Sequence, residues 1–290
     1  MTKRNLKRGR RENVILFAAL VWLLVSGCVL IAADQPEPLA RIALVSDTHT
    51  TRGTNEDQAL YRGRLDKVIA AVNSSRPDAV LIAGDLTQDG RPEELSDFQK
   101  QIGGFRAPVL FVPGNHDVGN KRIGSKAEGV TIERVAKFEN QMGPSFFAKS
   151  LSGVRVIGLN SPIFGSGFRR EEEMWDLLEK ELAQPATQAT ILFMHYPPFV
   201  KKADEAGGDY WNIEPEPRQR LLGLLRKGGV KTVLTGHLHR QLINRLDGIL
   251  FVTTPPVSFG LPKGKQPEGW TLITLPRQGE AQVQFQTIPD

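Results

Sequence analysis

The chain has 290 residues, of which 40% are hydrophobic and 24% charged, an ordinary globular balance for one large α/β domain or two small ones. Its net charge of +5 lies entirely in residues 1–13, because the rest of the chain carries 31 basic and 31 acidic side chains. The composition therefore excludes a bulk electrostatic attraction of the domain to nucleic acid. The single cysteine, Cys28, precedes the domain, which excludes disulfide and thiol chemistry there.

The N-terminal region, residues 1–33, has the pattern of an export segment. A basic run precedes twenty uncharged residues, 14–33, which favours a signal peptide cut after Ala33. Two alternatives stay open: residues 25–28 resemble a lipoprotein processing site at the cysteine, and residues 14–33 are long enough for an uncleaved membrane anchor. All three predict an extracytoplasmic domain, periplasmic or secreted, because the basic flank stays in the cytoplasm.

Residues 34–39 are predicted as a short proline-containing linker, and residues 40–290 as one domain. Short apolar runs alternate with helical patterns along most of the domain, which is typical of βαβ units. The predicted strands span residues 41–46, 79–83, 108–112, 154–159, 190–194 and 231–234. The predicted helices span residues 59–73, 93–102, 130–141, 170–183 and 217–227.

The C-terminal stretch changes character, because its patterns favour antiparallel strands. These strands are predicted at residues 241–246, 249–254, 270–275 and 281–287. Asp247 and Gly248 form a strong two-residue hairpin signal between the first pair. Without a repeat or a second domain boundary, the sequence predicts an α/β fold: a four-layer α-β-β-α sandwich of two mixed sheets with flanking helices.

Polar side chains follow five of the predicted strands. They are Asp47 and His49, Asp85, the run Asn115-His116-Asp117, His195, and the pair His237 and His239. Ligands bind outside the carboxyl ends of strands in open α/β sheets, so these side chains predict one site at that edge. All five histidines of the chain lie in these clusters, which isolated core histidines would not explain.

The residue types and their spacing favour a metal site. In extended backbone, residues i and i+2 point the same way, so Asp47 and His49 can aim at one place. Glycines at 84, 114 and 236 allow tight turns and a close approach to a ligand. Histidine nitrogen combined with aspartate oxygen suits zinc, manganese or iron.

At these residues the sequence resembles the calcineurin-like metallophosphoesterase superfamily, whose pattern is D-x-H, G-D, G-N-H-D/E, H and G-H-x-H. All five blocks are present between residues 47 and 239. The resemblance implies a sandwich of two mixed sheets, and hydrolysis of phosphate mono- or diesters by a hydroxide that bridges two divalent or trivalent metal ions (Fe, Mn or Zn). Residues 84–90 resemble the class III cyclic-nucleotide phosphodiesterase branch, and residues 210–213 a phosphatase-like branch.

The resemblance also implies a role for each site residue. One metal would be held by Asp47, His49 and His239. The other would be held by Asn115, His195 and His237. Asp85 would bridge the two metals. His116 would face the substrate and protonate the leaving group, with Asp117 orienting it.

Several functions and substrates stay open at this point. The expected partner is a small phosphoester, with no nucleic acid implied and a possible membrane tether through residues 14–33. A cyclic-nucleotide phosphodiesterase is one alternative, a non-catalytic metal-binding interaction module a second, and a membrane-tethered scaffold a third. In the loop 196–213, packing onto the domain is preferred over substrate stacking for the aromatic residues Tyr196, Phe199, Tyr210 and Trp211. Arg240 is either a phosphate ligand or an ordinary strand-edge arginine.

Overall fold

The computed structural model describes residues 37–121, 129–151, 153–185 and 188–288. The predicted export segment, residues 1–33, and most of the linker lie outside the described residues, so those assignments stay predictions. Within the described ranges, no helix has the length and apolar character needed to cross a membrane.

Eleven strands in the described residues form two mixed sheets. They are β1 (Ala40–Val45), β2 (Ala79–Ala83), β3 (Val109–Val112), β4 (Phe147–Leu151), β5 (Val154–Leu159), β6 (Ala189–Met194), β7 (Thr232–Thr235), β8 (Leu242–Leu246), β9 (Ile249–Thr253), β10 (Gly269–Leu275) and β11 (Gln282–Thr287). One sheet has the order β11-β10-β1-β2-β3 and the other β4-β5-β6-β7-β9-β8. Parallel pairing of β1-β2-β3 and of β5-β6-β7-β9 brings their carboxyl ends to a common edge in each sheet.

Six α-helices are present in the described residues. They are α1 (Glu56–Ser75), α2 (Pro92–Ile102), α3 (Asn115–Val118), α4 (Ile132–Met142), α5 (Arg169–Leu182) and α6 (Pro215–Lys227). α1 begins three residues before its predicted start because Asn55 caps it, with Oδ1 accepting a hydrogen bond from the Gln58 amide at 2.8 Å. Thr131 caps α4 in the same way, accepting from the Arg134 amide at 3.2 Å.

The two faces of each sheet bury different parts of the core. In β1, Ile42 and Leu44 belong to the apolar cluster between the sheets, which also contains Phe193 of β6. The alternate residues Ala43 and Val45 belong to the cluster that contains the apolar faces of the helices. Successive side chains of a strand point to opposite faces, so this division produces the predicted α-β-β-α sandwich, and the fold-class prediction is confirmed.

Two elements show where local patterns succeed and fail. Asp247 and Gly248 have φ of 53° and 74° and join β8 to β9, which confirms the predicted hairpin. The edge strand β4 was not predicted, since Ala148 and Lys149 do not favour strands. It forms because residues 147–151 pair antiparallel with β5.

Candidate metal centre

The five predicted clusters lie just beyond the carboxyl ends of strands from both sheets. β1 and β2 of one sheet lead into the loops with Asp47 and Asp85, and β3 leads into α3, which begins at Asn115. β6 and β7 of the other sheet lead into His195 and the 237–239 loop. The site therefore lies where the two sheets meet, and neither sheet alone contains it.

The side chains converge into two groups that share one carboxylate. The potential ligand atoms of the first group lie within 4.8 Å of one another, and its members are Asp47, His49, Asp85 and His239. The second group satisfies the same limit, with members Asp85, His195 and His237. Asp85 Oδ2 lies 3.7 Å from His49 Nε2 and 3.2 Å from His195 Nε2. Its carboxylate can thus contact a cation in either group.

Asn115 belongs to the second group by its position. Its Oδ1 lies 3.1 Å from His195 Nε2, and its side chain is buried. His195 Nε2 lies in turn 3.1 Å from His237 Nδ1. All seven predicted metal ligands are therefore brought together by the fold.

Each of the four histidines among the candidate ligands has an oxygen atom close to its outer ring nitrogen. His49 Nδ1 lies 3.0 Å from Gln88 Oε1, and His195 Nδ1 lies 2.8 Å from the Ala83 carbonyl oxygen. The corresponding partners are the Phe259 carbonyl for His239 Nδ1, at 2.5 Å, and the Tyr210 carbonyl for His237 Nε2, at 3.2 Å. Such bonds fix the tautomer and aim the inner nitrogen of each ring at the ion site.

These supporting residues were not identified from the sequence. Gln88 lies three residues after Asp85 in the G-D block, so its polar side chain and spacing were a usable signal. The carbonyl groups of Ala83, Tyr210 and Phe259 carry no such signal, since every residue has one.

The backbone at the ligands is unusual. Five candidate ligands have positive φ, and they are Asp47 (52°), His49 (46°), Asp85 (49°), His237 (68°) and His239 (50°). Non-glycine residues adopt this left-handed conformation at an energetic cost, and such residues concentrate at functional sites. The predicted result holds, because the side chains of each i, i+2 pair do face the site. The predicted cause is wrong, because the backbone at these residues is left-handed and not extended.

Gly84 combines a positive φ of 81° with a close approach, because a Cβ there would lie 2.7 Å from the Cβ of His195. We expect Gly84→Ala to destabilise the domain by about 2–4 kcal/mol, the sum of left-handed strain and overpacking. Urea unfolding measures the change. The matched control is Gly63→Ala in α1, where nothing lies within 4 Å of the added methyl; it should stabilise by about 0.5–1 kcal/mol. Equal stability of the two variants would contradict this account.

His116 lies beside the two groups and is partly exposed. Its Nδ1 lies 2.6 Å from the Gln88 carbonyl oxygen, and its amide donates to Asp85 Oδ1 at 2.9 Å. Among the described residues, the Asp117 carboxylate makes no hydrogen bond to the His116 ring, so the prediction that Asp117 orients His116 can hold only through the backbone. The Asp117 carboxylate instead accepts from the amides of Leu86, Thr87 and Gly114 at 3.0, 3.0 and 2.8 Å, because these loop amides surround it.

Asp117 thus ties the loop after β2 to the loop after β3. Burial and the neighbouring Asp85 carboxylate raise its pKa to about 6, against the opposing effect of the amides. These hydrogen bonds join the Asp85 loop to the start of α3, and through the backbone they would support the position of His116.

Charges in the buried cluster divide the histidines into two kinds. Burial lowers the pKa of His49 to about 3 and, together with the nearby His195, holds that of His237 well below its usual range. Burial also opposes protonation of His195, but the Asp85 carboxylate outweighs it and raises the pKa of His195 to about 9. Burial likewise disfavours ionised Asp47, yet His239 outweighs it and lowers the pKa of Asp47 to about 2.

We expect metal binding at pH 7 to release at least one proton per chain. Because the pKa of His195 is raised to about 9, this ring is protonated at pH 7 in the metal-free protein. A metal requires the neutral ring, so binding must displace the proton. Titration calorimetry in two buffers of different ionisation enthalpy measures the release, which should fall above pH 9. Identical heats in both buffers at pH 7 would contradict the expectation.

Two observations show that the donor atoms are suited to bind a metal ion. Asp47 Oδ1 is fully buried and accepts no hydrogen bond among the described residues, although His239 Nε2 lies 3.2 Å away. His49 Nε2 and His239 Nε2 approach to 3.3 Å, so two inward ring nitrogens face each other. A cation between these atoms would satisfy all three, and the mixture of nitrogen and oxygen donors suits zinc, manganese or iron.

The aromatic residues of the 196–213 loop separate into two pairs. Tyr196 and Phe199 are buried in the apolar core, as preferred from the sequence. Tyr210 and Trp211 instead face the site, with ring centroids 4.8 and 5.8 Å from that of His237. The Tyr210 hydroxyl accepts a hydrogen bond from Asn115 Nδ2 at 3.2 Å, so it helps to orient the Asn115 oxygen.

Two mixed sheets between helix layers, with buried histidine and aspartate donors at their carboxyl edges, define the class of metal-dependent phosphoesterases. The chain belongs to the calcineurin-like phosphoesterase family, whose model matches residues 40–241. The match covers all five blocks of the predicted pattern and confirms the resemblance seen in the sequence. The protein is a metal-dependent phosphoesterase.

Curated relatives and solved structures agree with this assignment. A "Probable cyclic nucleotide phosphodiesterase" from Rhodococcus erythropolis is 30% identical over 230 residues, covering 75% of this chain and 71% of its own length. The serine/threonine-protein phosphatase CPPED1 from Danio rerio is 29% identical over 226 residues, covering 72% of this chain and 69% of its own. A dimetal phosphatase structure from Danio rerio covers 87% of this chain and 100% of its own, with a TM-score of 0.57 at 12% identity, which shows a shared fold.

Proposed function

We propose that the chain hydrolyses small phosphate mono- or diesters with two metal ions held at the edge shared by the sheets. The observation that carries the proposal is the position of Asp85, whose carboxylate belongs to both donor groups. Two ions that share a carboxylate can act on one phosphoryl group. The two carboxylates among the ligands, Asp47 and Asp85, would neutralise only part of the positive charge of two divalent ions. The net positive charge that remains would attract an anionic ester.

The proposed ligands follow the two groups. Asp47, His49 and His239 would hold one ion. Asn115, His195 and His237 would hold the other. Asp85 would contact both. Zinc, manganese and iron are the candidate ions, because imidazole nitrogen predominates over carboxylate oxygen in this set.

When bound, the ions supply positive charge that polarises the phosphoryl group and activates water. The residues of the chain provide the rest of the mechanism. His116 is held through Nδ1 by the Gln88 carbonyl, which leaves Nε2 on its partly exposed ring for the substrate. Protonated at Nε2, it would donate that proton to the departing alkoxide oxygen.

Metal content and substrate preference test the proposal together. The full-length chain is purified, its metal is measured, and it is assayed with p-nitrophenyl phosphate, bis-p-nitrophenyl phosphate and a cyclic nucleotide. We expect about two ions per chain and hydrolysis of at least one ester class. The two relatives described above carry names of a cyclic-nucleotide diesterase and of a phosphatase, so the assays compare those two activities. A protein that binds no metal, or that binds it and cleaves no ester with zinc, manganese or iron, would contradict the proposal.

We also propose that the domain acts outside the cytoplasm. The support is the basic run followed by the uncharged residues 14–33. Cell fractionation of the full-length chain tests this, and Cys28→Ala separates the alternatives, because a lipoprotein would lose its lipid label whereas a cleaved or anchored protein would not change. Recovery of the intact, unprocessed chain in the soluble cytoplasm would contradict it.

A further inference from the structure

A cavity of about 740 Å³ opens beside the metal centre. None of the candidate metal ligands lines this cavity. Its walls come from the 196–213 loop and from the segments that flank His239. Leu238, between two candidate ligands, forms part of the wall, together with Leu261, whose amide donates to the His239 carbonyl at 2.9 Å. The cavity thus adjoins the site through Leu238.

Trp211 supplies the aromatic surface of this cavity. Its side chain is 36% exposed, although large apolar side chains in this domain are otherwise mostly buried. Tyr210 packs edge-on against it with the ring centroids 5.0 Å apart, which fixes its orientation. An exposed indole held in one orientation suits stacking against a planar organic group.

Arg240 supplies a positive charge in the same cavity. Among the described residues its guanidinium has no hydrogen bond or ion pair, and its side chain is partly buried. Two acidic side chains line the cavity. One of them, Glu205, accepts hydrogen bonds from the amides of Val200 and Lys201 at 2.7 and 2.9 Å. The other, Asp209, is exposed. A partly buried arginine that has no carboxylate partner among the described residues is suited to bind an anionic group of a ligand.

We propose that this cavity receives the organic group of the phosphoester, and that Trp211 and Arg240 select esters whose organic group combines a planar apolar face with a second negative charge. The inference rests on the proposed function. It assigns the two residues to specificity and places neither at the reacting phosphorus. Planar leaving groups stack on Trp211, and their additional carboxylate or phosphate pairs with Arg240.

The selection is tested by the ratios of kcat/KM for three esters, measured as released phosphate. The esters are phenyl phosphate, 4-carboxyphenyl phosphate and glycerol 2-phosphate. The first two differ by one negative charge, and comparing variants cancels their different leaving-group reactivity. Arg240→Gln should lower kcat/KM for the carboxylated ester about 10-fold and for phenyl phosphate less than about 2-fold, through KM, with partial recovery in Arg240→Lys. Trp211→Ala should lower kcat/KM for both aryl esters about 5-fold and leave the glycerol ester unchanged.

Two control variants separate charge in the cavity from charge in general. Asp209→Asn removes the opposing acid and should raise the preference for the carboxylated ester. Arg220→Gln removes an arginine that bonds Glu179 on α5, outside the cavity, and should change no ratio. Equal losses on all three esters in Arg240→Gln would overturn the inference, because Arg240 would then bind the reacting phosphate. Unchanged ratios in Trp211→Ala would also overturn it. A wild-type protein that cleaves none of the three but hydrolyses bis-p-nitrophenyl phosphate would overturn the inference, whereas one that cleaves no phosphate ester of either class would refute the proposed function.

Discussion

Replacing Asp85 with alanine is expected to lower kcat/KM by more than about 100-fold and to reduce the metal content of the purified protein. Loss of a partner outside the ligand set already costs about 10–100-fold in other metal sites, and Asp85 belongs to both donor groups here. The same carboxylate accepts the His116 amide at 2.9 Å and holds the His195 pKa at about 9. Metal analysis and steady-state kinetics on one preparation measure both effects.

The control for this prediction is Asp89→Asn in the same loop. Asp89 is exposed, and its carboxylate lies 3.1 Å from Arg91 at the surface, away from the metal centre. This variant should keep wild-type metal content and rate, because an exposed ion pair contributes little. An Asp85→Ala protein with full metal content and full activity would show that Asp85 is not shared between two ions.

Replacing His116 with alanine is the second large effect, and it should depend on the leaving group. General acid catalysis contributes about 10²–10⁴-fold, so hydrolysis of alkyl esters should fall by that factor. A p-nitrophenolate leaving group needs no proton, so its esters should lose far less. The metal content should not change, because His116 belongs to neither donor group.

The contrast between substrates distinguishes proton donation from a structural role. If His116 only supported the loop, alkyl and p-nitrophenyl esters would lose rate in the same proportion, and the metal content would fall with them. A wild-type rate on alkyl esters in His116→Ala would show that another group protonates the leaving oxygen. Gln88 deserves the complementary test, since its side chain and carbonyl contact His49 and His116, respectively.

Most of the fold was predictable because its signals are local. Strand and helix periodicity and the Asp247-Gly248 turn depend on residues that are close along the chain. The caps at Asn55 and Thr131 are local signals too, but the periodicity alone predicted helix starts at 59 and 130. β4 and the four-residue helix α3 were not predicted. A short edge segment with weak strand propensity becomes a strand only when β5 lies beside it, and a single helical turn is too short to show a periodicity.

The sequence by itself determined the ligand types of the centre, since each block combines a strand, a glycine or turn, and a histidine or carboxylate. Only the tertiary structure decided which ring nitrogen faces inward, because the oxygens that fix the tautomers come from elsewhere in the chain: Ala83 reaches His195 across 112 positions. It also decided the left-handed backbone at Asp47 and the cavity between Trp211 and Arg240. The physical reason is that donor chemistry belongs to single residues, whereas direction and distance arise only when two sheets pack and their edges meet.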